Sequence, residues 1–373
     1  MIYLSLFNGI SAGRLALSRA GIKFDKYYIA EIDKFANKVS EFHYPDNIQL
    51  GDVNNWREWD IDWSSVGLVT AGFPCQSWSL AGKQLGDKDE RGKLFWTTLE
   101  IMSYVLENNP DAKFMLENVK MKKEFEEYIT LHTERALGYV NKTLINSSLL
   151  SAQNRQRYYW TNFEISQPED KGILLKDIID DDSITDREKS YCIDANYSKG
   201  TNLNQYLNKS RRQIVFRPCE PRENIKQSKD GLIHVANATD IKGNEQIKRI
   251  YSDAGKAPTL STCQGGHREP KVAIRNKSKT IRSSGRNSYD RHEWDSISNC
   301  HYRKLTPTEC ARLQTFPDGW CENIVSNSQS YKCYGNAWTV DVIAHIFKCA
   351  YRESKHETIR PTVSYEQSCS ANI

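Results

Sequence analysis

Through the first 160 residues, short apolar runs alternate with stretches whose apolar positions recur at helical spacing. Residues 2–7, 27–30, 48–50, 66–71 and 113–116 read as strands, and residues 14–20, 33–43 and 94–108 as helices. In the last of these, Phe95, Leu99, Met102 and Leu106 form one stripe. The alternation is that of βαβ units, and it predicts an α/β fold: a doubly wound, mixed but mainly parallel sheet. Near the other end, Val340, Ile343, Ala344 and Phe347 keep the i, i+3, i+4, i+7 pattern of a helix that covers a sheet face. Thr306-Pro307-Thr308-Glu309 has the form of a helix start, and the C-terminal helix is expected beside the first strand.

Between about 166 and 300 the texture changes to Asn-, Ser- and Gly-rich stretches with short β-like runs, such as 213–216 and 271–274. Acidic residues 177–186 read as a solvated linker into it. The division expected is 1–165 as a catalytic and cofactor-binding domain, and 166–300 as a smaller, β-rich, irregular recognition domain. Residues 301–355 return to the first domain, and 356–373 form a flexible tail. No internal repeat is evident.

Charge sharpens the division. The whole chain has a formal net charge of +4. Residues 191–300 hold 20 Lys+Arg against 11 Asp+Glu, so this segment is basic and the remainder acidic. A basic segment on an acidic body suits a polyanionic partner as well as an ordinary solvated surface. No apolar run approaches the roughly 20 residues of a membrane span, and the apolar start lacks a basic leader, so a cytoplasmic protein is expected. The ten cysteines include no C-x-x-C pair and no zinc-site spacing, so neither disulfides nor a metal is expected.

The polar residues worth weighing fall where predicted strands end. Phe7-Asn8-Gly9-Ile10-Ser11-Ala12-Gly13 leaves the first strand and opens a helix, a geometry that serves nucleotide-like cofactors as well as plain connections. Glu31 ends the second strand, about 20 residues on, where a carboxylate can bond ribose hydroxyls. Asp52 follows the third. Gly72-Phe73-Pro74-Cys75-Gln76-Ser77-Trp78-Ser79 places a cysteine after a proline in a polar loop, where a thiolate would be a strong nucleophile.

With these segments the chain resembles the DNA (cytosine-5)-methyltransferases of bacteria and phages. Pro74-Cys75-Gln76, with Ala81-Gly82-Lys83 and Asp89-Glu90-Arg91-Gly92-Lys93-Leu94-Phe95 after it, is similar to that family's nucleophile loop. Leu116-Glu117-Asn118-Val119 resembles its E-N-V element, and Gln153-Asn154-Arg155-Gln156-Arg157 its Q-x-R-x-R. Residues 304–317 and Gly335-Asn336-Ala337-Trp338-Thr339-Val340 resemble its last two motifs. The motifs follow in family order from one end of the chain to the other.

The resemblance implies a class I S-adenosylmethionine-dependent methyltransferase acting on double-stranded DNA. The target base must first leave the stack, because its C6 is inaccessible in a duplex. Cys75 would attack C6, Glu117 would bond N3 and the exocyclic amine, and Arg155 and Arg157 would hold O2 and orient the thiol loop. Phe7, Gly9, Ile10, Glu31, Asp52, Pro74 and Asn336 are the implied cofactor contacts. Gln76, Ser77, Arg211, Arg212, Thr259 and Leu260 are the implied DNA contacts. One departure is that Ser11 and Ala12 stand where bacterial members usually carry glycines, and a left-handed φ at Ser11 would cost energy. The resemblance also implies a monomer, either paired with a separately encoded restriction endonuclease or solitary.

Three alternatives compete with this reading. A zinc nucleobase deaminase fails because position 222, where its second cysteine belongs, is Arg222. The same chemistry on tRNA is disfavoured by the basic insert and by Pro-Cys-Gln. A non-catalytic DNA-binding homologue is disfavoured by the intact Cys75, Glu117 and Arg157.

Overall fold

The computed structural model describes residues 1–74, 90–199, 206, 209–221, 232, 234–238, 244–252, 271–273 and 300–352. Five parallel strands, β1 (Ile2–Leu6), β2 (Lys26–Ala30), β3 (Ile48–Gln49), β4 (Val66–Ala71) and β5 (Lys113–Val119), are joined by β6 (Asn141–Asn146) and β7 (Gln156–Thr161). The order is β3-β2-β1-β4-β5-β7-β6, with β7 antiparallel to both neighbours. This is the predicted doubly wound, mainly parallel sheet, with the antiparallel strand β7 next to the edge strand β6.

Helices cover both faces. Tyr3, Leu68 and Met115 point into one core, shared with α1 (Ala12–Ala20) and α2 (Lys34–His43). Leu4, Val69, Phe114 and Leu116 point into the other, shared with α3 (Glu90–Asn108) and α4 (Lys123–Leu137). Burial on both sides explains the unbroken apolar runs of β1 and β4. Helix ends carry the expected chemistry: α1 stops at Gly21, φ 74°, and Asp33 caps α2 by accepting from the backbone N–H of Phe35 and Ala36.

The second sheet has β8 (Ile214–Pro221), β9 (His234–Ala238), β10 (Arg249–Ser252), β11 (Lys271–Ala273) and β12 (Cys300–Lys304) in the order β11-β10-β9-β8-β12. A four-residue helix, α5 (Glu245–Lys248), precedes β10. After Lys304 the chain returns to the first core through α6 (Pro307–Leu313), α7 (Asn327–Asn336) and α8 (Val340–Ala350). Thr306 and Glu309 form a capping box at the start of α6, with Pro307 in the first turn. The apolar stripe of α8 packs beside the first strand as expected, with Phe347 6.4 Å from the Tyr3 ring of β1, and it also meets α1, where Arg19 pairs with Asp341 at 2.7 Å.

Two sequence expectations change. The strand expected over 113–116 runs to Val119, so Glu117 and Asn118 lie inside β5, where pairing with β7 holds them. Residues 177–186 are not a free linker. Leu175 and Ile178 are buried, Asp180 and Asp181 pair with Arg312 and Arg303, and Ile184 bridges Phe216. Two arginines of the returning segment thus fasten what composition alone marks as solvated.

Candidate active site

Loops at the carboxyl ends of β1 to β5 converge where the strand order reverses, between β1 and β4. The first is unusual in its backbone: Phe7, Gly9 and Ser11 all have left-handed φ, at 56°, 58° and 62°. Ser11 does adopt the strained conformation, and its buried hydroxyl is held by Asn8 at 3.0 Å, Ser40 at 2.7 Å and Asn47 at 3.3 Å. Hydrogen bonds thus hold a turn that glycine would make without strain. The Gly9 N–H donates to Glu31 Oε2 at 2.8 Å, while Glu31 Oε1 accepts from the N–H groups of Ile32 and Asp33. Asp52 caps a 3-10 turn, Val53–Glu58, by accepting from Asn54. From α7, Lys332 reaches back to Asp33 at 2.6 Å; burial raises the Asp33 carboxyl, but this ammonium and the cap bonds hold it below its ordinary value.

Deeper in the site, Glu117 is 8% exposed and gripped from two sides. Arg157 Nε lies 3.1 Å from its Oε1, and the Trp338 indole N–H donates to its Oε2 at 3.0 Å. Asn118 donates to the Phe73 carbonyl at 3.3 Å and so ties β5 to the loop leaving β4. Arg155, 4% exposed, has both terminal nitrogens committed to the protein. Nη1 donates to the Ile193 carbonyl at 3.1 Å and to Cys192 Sγ at 3.3 Å, and Nη2 to the Ala337 carbonyl at 2.9 Å. Burial alone would raise the Cys192 thiol, but the charges of Arg155 and Arg157 outweigh it and hold the thiol below its usual range.

These groups share one cleft of about 360 Å³. It is lined by all seven residues expected at a cofactor, Phe7, Gly9, Ile10, Glu31, Asp52, Pro74 and Asn336, and by Glu117, Arg155 and Arg157. Cys75, Gln76 and Ser77, which follow Pro74, lie outside the described residues, as do Thr259, Leu260 and the segment 356–373. Arg211 and Arg212 precede β8 and are not part of the cleft lining. Arg211 pairs with Asp194 at 2.6 Å, and Arg212 has a left-handed φ of 58°.

Sequence reading passed over Trp338, Lys332 and Cys192. Only Trp338 left a signal, as a large aromatic ring inside the small-residue motif Gly335 to Val340. The pairing of Lys332 with Asp33 spans 299 positions, and that of Cys192 with Arg155 spans 37. No local pattern announces either.

Among the described residues, no helix is long and apolar enough to cross a membrane. The family model described as C-5 cytosine-specific DNA methylase matches residues 1–352. The orphan methyltransferase M.SPBetaI of Bacillus phage SPbeta is 28% identical over 92% of this chain and 96% of its own. The type II methyltransferase M.HhaI of Haemophilus parahaemolyticus is 29% identical over 92% of each chain. In fold, the chain is similar to the Entamoeba histolytica methyltransferase EhMeth, with a TM-score of 0.57 at 14% identity over 94% of this chain and 98% of the other. The cleft at the reversal of the sheet, the Glu117–Arg157 pair within it and a family match over nearly the whole length agree: this chain belongs to the C-5 cytosine-specific DNA methylase family.

Proposed function

We propose that the chain transfers the methyl group of S-adenosylmethionine to C5 of a cytosine in a short sequence of double-stranded DNA, with Cys75 as nucleophile. One observation carries the reading: a single cleft is lined at once by the seven residues expected at the cofactor and by Glu117, Arg155 and Arg157, with Pro74, the neighbour of Cys75, at its edge. The donor set suits the cofactor. A carboxylate offers about four acceptor positions; Glu31 uses three on backbone N–H groups, which fix it and leave capacity for a ribose hydroxyl. Phe7 and Ile10 supply apolar wall, and Asp52 a second acceptor.

When bound, the cofactor supplies an electrophilic methyl on a sulfonium centre. The chain's residues do the rest. The Cys75 sulfur bonds to C6 of the extruded base, and the C5–C6 π pair moves toward C5. Glu117 accepts from the exocyclic amine and delivers a proton to N3 as the sulfur adds, which stabilises the adduct as it forms. Arg157 bridges Glu117 and the base O2, the role that its position beside the carboxylate favours. Arg155 acts at one remove, since its terminal nitrogens hold the backbone at Ile193 and Ala337. C5 takes the methyl group, and its proton then passes to water. The C–H pair restores the double bond as the Cys75 sulfur departs as thiolate, and N3 returns its proton to Glu117.

The basic segment carrying the second sheet is read as the recognition domain, with DNA in the groove between it and the large sheet. Phosphate contacts would position the protein there and a few side chains would read base edges. The cytoplasm is the compartment inferred. The chain works as a monomer, with or without a separately encoded restriction endonuclease.

The test is methylation sequencing of a bacterial host without cytosine methylation, expressing this chain or its Cys75→Ser variant. 5-Methylcytosine at one short motif with the unaltered chain only is the expected result. Unmodified DNA from well-folded protein would overturn the proposal.

A further inference from the structure

Glu117 and Arg157 come from neighbouring strands, but the third member of their cluster comes from far along the chain. Trp338 donates its indole N–H to Glu117 Oε2 at 3.0 Å, across 221 positions of sequence. Its N–H meets one carboxylate oxygen while Arg157 meets the other. The space for it is made at Gly72, on the loop leaving β4. A Cβ there would sit 2.8 Å from the indole nitrogen and 3.0 Å from Glu117 Oε2.

The backbone on either side of the ring is firmly held. The Ala337 carbonyl accepts from Arg155 at 2.9 Å and from Gln314 at 3.1 Å. Thr339 Oγ1 donates to Gln314 at 2.8 Å and lies 2.9 Å from Ser147 Oγ, so neither flank of the indole moves without breaking buried bonds. A donor on a rigid support is what orients a reacting group well.

We propose that Trp338 is a positioning residue for the methyl-transfer reaction. Its N–H holds Oε2 of Glu117 while Oε1 lies on Arg157, and so sets the orientation in which the carboxyl group meets the entering cytosine. An indole donates and cannot accept, so it favours one orientation of the carboxylate and cannot compete for a proton. This inference rests on the role proposed for Glu117.

The test removes the N–H and keeps the ring. Position 338 is replaced by 3-benzothienylalanine, which has sulfur in place of N–H at nearly the same shape, with Trp338→Phe and Glu117→Gln alongside. Single-turnover methylation rates, KM for S-adenosylmethionine and for DNA, and melting temperature are measured on each. Loss of a hydrogen bond to a charged group should slow the sulfur analogue about tenfold to a hundredfold, with both KM values and the melting temperature unchanged. An analogue as fast as the unaltered enzyme, or one that loses only KM, overturns the inference, whether or not Trp338→Phe folds. If Glu117→Gln is itself fully active, the role of Glu117 falls first and this inference falls with it.

Discussion

Arg157 and Glu117 are diagonal neighbours on one face of the antiparallel pair β5–β7. Arg157 stands opposite Val119, two positions on from Glu117, and its Nε lies 3.1 Å from Glu117 Oε1. The pairing register therefore assembles, before any substrate arrives, the two side chains proposed to act on the base. Glu117→Gln and Arg157→Ala should each lower the methylation rate by about 10²- to 10⁴-fold, the usual worth of an acid–base or charge-stabilising group. Arg157→Lys should recover little, since an ammonium cannot reproduce the guanidinium fork. Single-turnover assays on a duplex oligonucleotide check all three.

Ser11 gives a test of how a strained turn is held. Ser11→Ala keeps the left-handed φ of 62° and removes the hydroxyl shared by Asn8, Ser40 and Asn47. Its expected cost in denaturant unfolding is about 2–3 kcal/mol. Ser11→Gly removes the same bonds but relieves the backbone, so it should cost about 1 kcal/mol less. A glycine variant no more stable than the alanine variant would show that the φ angle carries no strain.

Gly335 is needed for close approach. A Cβ at this position would lie 2.2 Å from the Asp194 carbonyl carbon and 2.3 Å from its oxygen, and backbone cannot swing aside as a side chain can. Gly335→Ala should cost at least about 2 kcal/mol and push residues 193–195 away, taking with them the Ile193 carbonyl that holds Arg155. Calorimetric unfolding measures the first effect, and the methylation rate of the folded fraction the second.

At the end of α8, Cys349 lies 3.7 Å from His345 Nε2 and 3.6 Å from Ser166 Oγ, while the His345 ring nitrogen meets the Ser166 carbonyl at 2.7 Å. Burial pushes the thiol up, but the His345 hydrogen bond and the Ser166 contacts outweigh it and bring the thiol down to about 7. Because the folded value is depressed, the stabilisation it contributes is full above the free-thiol value of about 8.5 and fades as pH falls through about 7. Site-resolved alkylation with iodoacetamide should give a half-maximal rate at Cys349 near pH 7. In His345→Ala the midpoint should rise toward about 8.5. An unchanged midpoint in that variant would separate the thiol from the imidazole.

Much of this protein was legible before folding. The strands and helices of the first 116 residues follow from hydrophobic periodicity, because a sheet buried on both faces imposes unbroken apolar runs and its covering helices impose stripes; α4, β6 and β7 were not read from it. Most of the residues expected at a cofactor were found along the cleft because they sit where strands end, a place marked by glycine, proline and acids; Asn336, from α7, is the exception. Periodicity could not show that β5 continues through Glu117 and Asn118, since polar residues in a strand look like its end until a partner strand claims them. Nor could composition show that residues 177–186 are fastened, for acidity marks solvent exposure only when no arginine returns, here from 122 and 132 positions away. Tertiary structure alone decided the support of the site: Trp338 on Glu117, Lys332 on Asp33, Arg155 on the backbone at Ile193 and Ala337. These are single polar contacts across long stretches of sequence, and their distance and direction, on which their strength depends, exist only once the strands and helices have packed.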